Sequence, residues 1–124
     1  MSKRFASLLF VLCFLLPNVV YAATACRDYP SLGNKPTDPI RKKGFHASVQ
    51  VDILTGSGAV GEYQFQESNT GLDAGWENNG AVVNSETPVK YTNANAQFVR
   101  VLLVKEPALG TTVRVCVYAD GVGE

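Results

Sequence analysis

From Phe45 onward the apolar residues return at every second position, and that period decides what the chain can build. In HASVQVDI, Ala47, Val49, Val51 and Ile53 fall on one face, and His46, Ser48, Gln50 and Asp52 on the other. A period of two belongs to a strand that buries one face and wets the other. GEYQFQES repeats it, with Tyr63 and Phe65 opposed to Glu62, Gln64 and Gln66. So does TVRVCVYA, where Val113, Val115, Val117 and Ala119 form a core face and Arg114, Cys116 and Tyr118 an outer one. PVKYT (88–92) reads as a further short strand and AVV (81–83) as a weaker stretch. QFVRVLLVK differs: Val99, Val101 and Leu103 point one way, and Phe98, Leu102 and Val104 the other. Apolar residues on both faces mark a strand that is central or covered on both sides. TGSGAVG, NTGLDAG and KEPALGTT supply turns between these runs. The pattern predicts an all-β domain, a small antiparallel β-sandwich of Ig-like or jelly-roll-like type with one disulfide; a small β-barrel is the alternative.

The chain opens MSKRFASLLFVLCFLLPNVVYA. Two cations precede an apolar run from Ala6 to Leu16, and a small residue ends the segment. This is the pattern of a secretory signal peptide cut after Ala22, and the apolar run is too short to span a bilayer as a helix. The expected organisation is a signal over 1–22, a Pro-rich arm over 23–44 and a β-sandwich over 45–124. The arm, RDYPSLGNKPTDPIRKKG after Cys26, holds Pro30, Pro36 and Pro39, which forbid a helix and discourage a central strand. Without the leader, 124 − 22 = 102 residues remain, enough for one domain. Nine cations then face 11 acids, a net charge of −2, which lacks the basic excess of a nucleic-acid binder.

Cys13 leaves with the leader, so Cys26 and Cys116 remain. Two cysteines in an exported chain predict a disulfide. Cys116 lies on the outer face of its strand, so the staple is expected outside the sheet, with the Pro-rich arm crossing that face to reach it. The alternative reads Ala23-Thr24-Ala25-Cys26 as a lipobox-like stretch, with Cys26 lipidated and Cys116 free. The expected location is secreted or periplasmic, or membrane-anchored through Cys26 in the alternative.

Catalytic chemistry is hard to assemble from this set. His46 is the one histidine, it lies on the polar face of its strand, and a nucleophilic triad would have to use it. Asn69, Asp73 and Glu77, four residues apart, offer oxygens to calcium but lack EF-hand spacing. Glu62, Glu67, Asp73 and Glu77 form no evident carboxylate pair for glycoside hydrolysis. GSGAVG joins two strands and opens no helix, so it is no phosphate loop. No catalytic residue, metal or cofactor is therefore expected. RKKGFH (41–46) sets three cations beside Phe45, which suits an anionic surface or simply a solvated strand entry.

Trp76 stands in ESNTGLDAGWENNG, among amides and acids. Its size favours a plug at one end of the core. Its neighbours instead make Trp76, Asn69, Asp73, Glu77 and Asn78 a candidate ligand-binding set, because sugars stack on aromatic faces and hydrogen-bond to amides and carboxylates.

Ser68-Asn69-x-Gly71, Trp76, a polar stretch, Phe98-Val99-Arg100-Val101 and a closing V-x-V strand follow one another along the chain. This order resembles a family of β-sandwich modules in phage tail and virion proteins and in bacterial surface proteins, which carry S-N-D-G-x-x-W and a Y-V-R-V strand. The likeness spans roughly residues 47–118. Thr70 replaces the Asp of the motif, Trp76 comes later, and the cysteine pair is foreign to it. The resemblance implies a β-sandwich used for adhesion, assembly or glycan contact, without catalysis. The expected role is an exported binding module whose partner is a glycan or an extracellular or periplasmic protein. An inhibitor of a secreted protease or lysozyme, wedging GSGAVGEY or LDAGWENN into its target, is one alternative. A structural subunit of a surface assembly is another.

Overall fold

The computed structural model describes residues 24–119. Eight strands follow in order: β1 (Thr24–Tyr29), β2 (Ile40–Arg41), β3 (His46–Thr55), β4 (Glu62–Ser68), β5 (Glu77–Asn78), β6 (Thr87–Asn93), β7 (Phe98–Lys105) and β8 (Thr112–Ala119). The one helical element among the described residues is a single 3-10 turn, Leu32–Asn34. No helix among them is long and apolar enough to cross a membrane.

The strands form two antiparallel sheets of four, ordered β1-β8-β3-β6 and β2-β7-β4-β5. Each sheet keeps two edges, so the molecule is a sandwich and not a barrel. The predicted parity sets the core. Val49, Val51, Val113, Val115 and Val117 from the first sheet meet Tyr63, Phe65, Val99 and Val101 from the second, all essentially buried. The layers are further tied by Tyr29 against Tyr63, with ring centroids 5.5 Å apart and planes tilted by 48°. Both phenols are fully buried, and both donate to a carbonyl at 2.6 Å, Tyr29 to Lys35 and Tyr63 to Val60. The hydroxyls are thereby satisfied while the rings fill the interlayer space.

Residues 24–44 are no arm laid across the sheet. They supply an edge strand to each layer: β1 pairs with β8 over six residues, and β2 pairs with β7. Pro30, Pro36 and Pro39 lie between β1 and β2, in the connection and outside both strands. Cys26 lies directly opposite Cys116 in the β1–β8 register, and the two form the disulfide, with Cα atoms 4.1 Å apart. The staple is therefore on the outer face as expected, but it joins neighbouring strands and nothing crosses that face to reach it. The sulfur that lipidation of Cys26 would need is in the disulfide. The leader segment, 1–22, lies outside the described residues.

A second departure concerns β4. Gln64 and Gln66, expected to face water, are 5% and 7% exposed, and Ser68 on the same parity is 3% exposed. The face that alternation assigns to solvent is covered from elsewhere in the chain.

Candidate functional site

The cover is the segment after β4. Ser68 ends that strand and turns the chain: its Oγ accepts the N–H groups of Thr70 and Gly71, each at 3.2 Å. A hydroxyl that caps two following amides is the usual chemistry of such a turn. Gly71 then passes so close to Phe98 that a Cβ there would stand 3.0 Å from the ring, and its φ is +70°. The segment folds back over the outer face of the β2-β7-β4-β5 sheet and brings Trp76 onto β7. The indole N–H donates to the Leu72 carbonyl, which sets the ring's orientation.

Beneath the ring lies Arg100. Its guanidinium carbon is 4.3 Å from the Trp76 centroid, a stacked cation–π contact. Arg100 Nε donates to Gln66 Oε1 at 2.9 Å, and Gln66 Nε2 donates to Asn78 Oδ1 at 2.9 Å. The register produces this line, since Arg100 and Asn78 flank Gln66 on neighbouring strands. Burial under the indole pulls the Arg100 guanidinium below its ordinary value, and the charge of Asp73 opposes that shift. Arginine remains charged after any such shift, so the site keeps a partly desolvated cation. Gln64, one row further, donates to the carbonyls of Phe65, Asn79 and Gly80 and so pins the turn that follows β5. The result is an aromatic platform on a base tied by the Arg100–Gln66–Asn78 hydrogen bonds.

The expected site residues separate against this geometry. Trp76 is half-buried and lies outside the core cluster, so it is not a core plug. Asn78 is tied to the ring through Gln66 and Arg100. Asp73 is near enough to act on Arg100 by charge. Asn69 and Glu77 are exposed. Glu77 stands opposite Glu67 in the β4–β5 register, and Glu67 Oε2 accepts from Asn79 Nδ2 at 2.6 Å. Among the described residues, no three His, Cys, Asp or Glu side chains converge as a metal site. The sequence reading omits Arg100, Gln66 and Phe98 from the site. The available signal was Arg100 itself, a charge at the outward position between the apolar Phe98 and Leu102.

The outer face of the other sheet is different in kind. Arg114 on β8 makes a two-pronged bond to Asp28, Nε to Oδ1 at 2.8 Å and Nη2 to Oδ2 at 3.1 Å. Hydrogen bonding to Arg114 holds the Asp28 carboxyl below its ordinary value. Next to this pair come the disulfide and Gln50, which donates to Asp52 at 2.7 Å. His46 is exposed at the start of β3. This face carries two tyrosines, Tyr91 and Tyr118, on either side of Ser48, with Tyr91 78% exposed.

Comparison of the chain with protein-family models, curated proteins and solved structures returns no match.

Proposed function

We propose that the protein is a non-catalytic binding module that works outside the cytoplasm and recognises a glycan through the outer face of the β2-β7-β4-β5 sheet. One observation carries the reading. The single tryptophan is held on the surface of a sheet, stacked over a partly buried cation and oriented by its own N–H, and takes no part in the core. A large aromatic outside the core is costly to leave wet unless its face is used. Saccharide rings offer C–H faces that stack on an indole and hydroxyls that meet amides and carboxylates. Asn78, linked to Arg100 through Gln66, and Asp73, whose charge acts on Arg100, are the groups we assign to the second task, with the exposed Asn69 and Glu77 as further candidates. The Cys26–Cys116 disulfide supports an oxidising compartment.

The test is a screen of immobilised glycans with the protein and with Trp76→Ala. The reading expects at least one glycan bound by the wild type and lost in the variant while the variant keeps its disulfide and its strand content. Binding retained by Trp76→Ala overturns it.

A further inference from the structure

Two turns at one end of the sandwich repeat the same chemistry. Ser31-Leu32-Gly33-Asn34 closes with Asn34 N donating to Ser31 O at 3.0 Å. Ala108-Leu109-Gly110-Thr111 closes with Thr111 N donating to Ala108 O at 2.9 Å. In each, a glycine with positive φ (72° and 83°) takes the third position, which a type II turn requires. In each, leucine takes the second position, the outermost corner. Leu32 is 96% exposed and Leu109 105%. Most turns put proline or a polar residue there.

The two corners are neighbours, because Asn34 of the first turn donates to Glu106 just before the second. The adjoining glycine turn joins them: Gly58 N donates to Thr111 Oγ1 at 2.9 Å, and Ala108 N donates to Ala59 O at 2.9 Å. Across segments 30–36, 55–61 and 106–111 the charged residues are Lys35 and Glu106, one of each sign. Glu86 of the next loop accepts the Ile53 N–H at 2.9 Å. This end is therefore small, neutral and tipped with two bare leucines.

We infer that this end of the domain seats on a lipid surface, with Leu32 and Leu109 inserted between the headgroups. The leucines stand on convex corners. A protein partner would need two separate matched pockets for them, whereas the acyl boundary of a bilayer accepts isolated apolar tips with no complementary shape. Lys35 and Glu106 cancel in sign, and the long Lys35 stem lets its ammonium stay at the headgroups while the leucines insert. Topology sets the consequence. These turns adjoin the Lys105 end of β7, and the Trp76 segment adjoins the Phe98 end. Seating the leucines in lipid directs Trp76 away from the membrane. The inference does not depend on what Trp76 binds.

The test places a reporter on the tip itself. Leu109→Trp is mixed with phosphatidylcholine vesicles whose acyl chains are brominated, which quench only indoles at acyl depth. The expected result is strong quenching in Leu109→Trp and none of Trp76 in the wild type. Adding Leu32→Ser to Leu109→Trp should weaken vesicle partitioning by on the order of tenfold or more, the effect of one exposed leucine side chain kept out of an apolar phase. Leu72→Trp, 68% exposed at the opposite end, should stay unquenched. Both tips are fully exposed, so these variants keep the core intact. Absence of quenching at position 109, or quenching of Trp76 instead, overturns the inference. So does quenching that appears only with anionic phosphatidylglycerol and vanishes in high salt, which marks adsorption by charge. Recovery of a stable soluble protein complex that needs both leucines, without vesicle quenching, would assign the tips to a protein groove and refute the lipid surface.

Discussion

Replacing both bonded cysteines by alanine, Cys26→Ala with Cys116→Ala, is the most informative single perturbation of the fold. The two residues are 90 apart in sequence, and the bond joins the first strand to the last. In the chain-entropy account a closed loop of that length raises the free energy of the unfolded chain by about 4–5 kcal/mol. Ordinary domains are stable by only about 5–15 kcal/mol, so the loss takes a large share. It need not abolish folding. Six β1–β8 pairs remain, and the core valines of β8 do not touch the substitution. At about 4–8 °C per kcal/mol for a domain of this size, Tm should fall by about 20–35 °C. Urea denaturation should show a midpoint lower by about 2–5 M, for a slope of about 1–2 kcal/mol/M, with the slope somewhat steeper in the variant because its unfolded chain is less compact. The wild type kept reduced should behave as the double variant does. A loss below about 1 kcal/mol would refute the reasoning, since the unfolded chain would then gain little freedom when the bond is absent.

Three further outcomes follow from the geometry. Burial raises the Tyr29 phenol to about 12 and pushes Tyr63 up as well. Their stabilisation is complete below pH 10 and falls as pH rises toward 12, because only the unfolded chain then ionises; for Tyr29 this is on the order of 2–3 kcal/mol, read by denaturation at pH 9 against pH 11.5, and Tyr29→Phe should flatten the decline. Asp28 is held below its ordinary value by Arg114, so its contribution is present above about pH 4 and is lost as pH falls further; Arg114→Ala should remove that part of the acid limb, and high salt should shrink it, as acid titrations followed by circular dichroism would show. Trp76→Ala should cost about 1 kcal/mol and not the 3–5 kcal/mol of a core aromatic, because the ring rests on Arg100 outside the core; thermal unfolding decides between the two.

The strands with strict alternation were legible because one face is buried by its own partner layer. Val49, Val51, Val113, Val115 and Val117 all fall where period two puts them. The apolar outer row of β7 also signalled correctly a strand lying inside its sheet. What stayed hidden is nonlocal. Gln64 and Gln66 read as wet because glutamine usually is, and nothing near them in sequence announces that the Asn79–Gly80 turn will take the first and Arg100 and Asn78 the second. TACRDY carries too few apolar residues and too many prolines after it to read as a strand. It becomes one because β8 offers a free edge and Cys116 stands opposite Cys26. The identity of the cysteine pair was legible by elimination, but the route between the two was not, since pairing side by side and crossing over the face share the same two residues. Trp76 stood out in the sequence, while its partner Arg100 lies 24 residues away across the sheet, where no local pattern reaches it.

The central claim is that the face built on Trp76 and Arg100 is a recognition surface. Trp76 is the only tryptophan in the chain, so indole emission reports on that face alone. Titrating the protein with neutral and acidic oligosaccharides while following this emission, and its quenching by iodide, tests the claim directly. The account predicts that at least one saccharide saturably shifts the emission and shields the ring from iodide, and that Arg100→Ala, which removes the platform beneath the ring, weakens that saccharide. A full saccharide panel that leaves the emission and its quenching unchanged, or binding detected by calorimetry with Trp76 equally open to iodide, would contradict it.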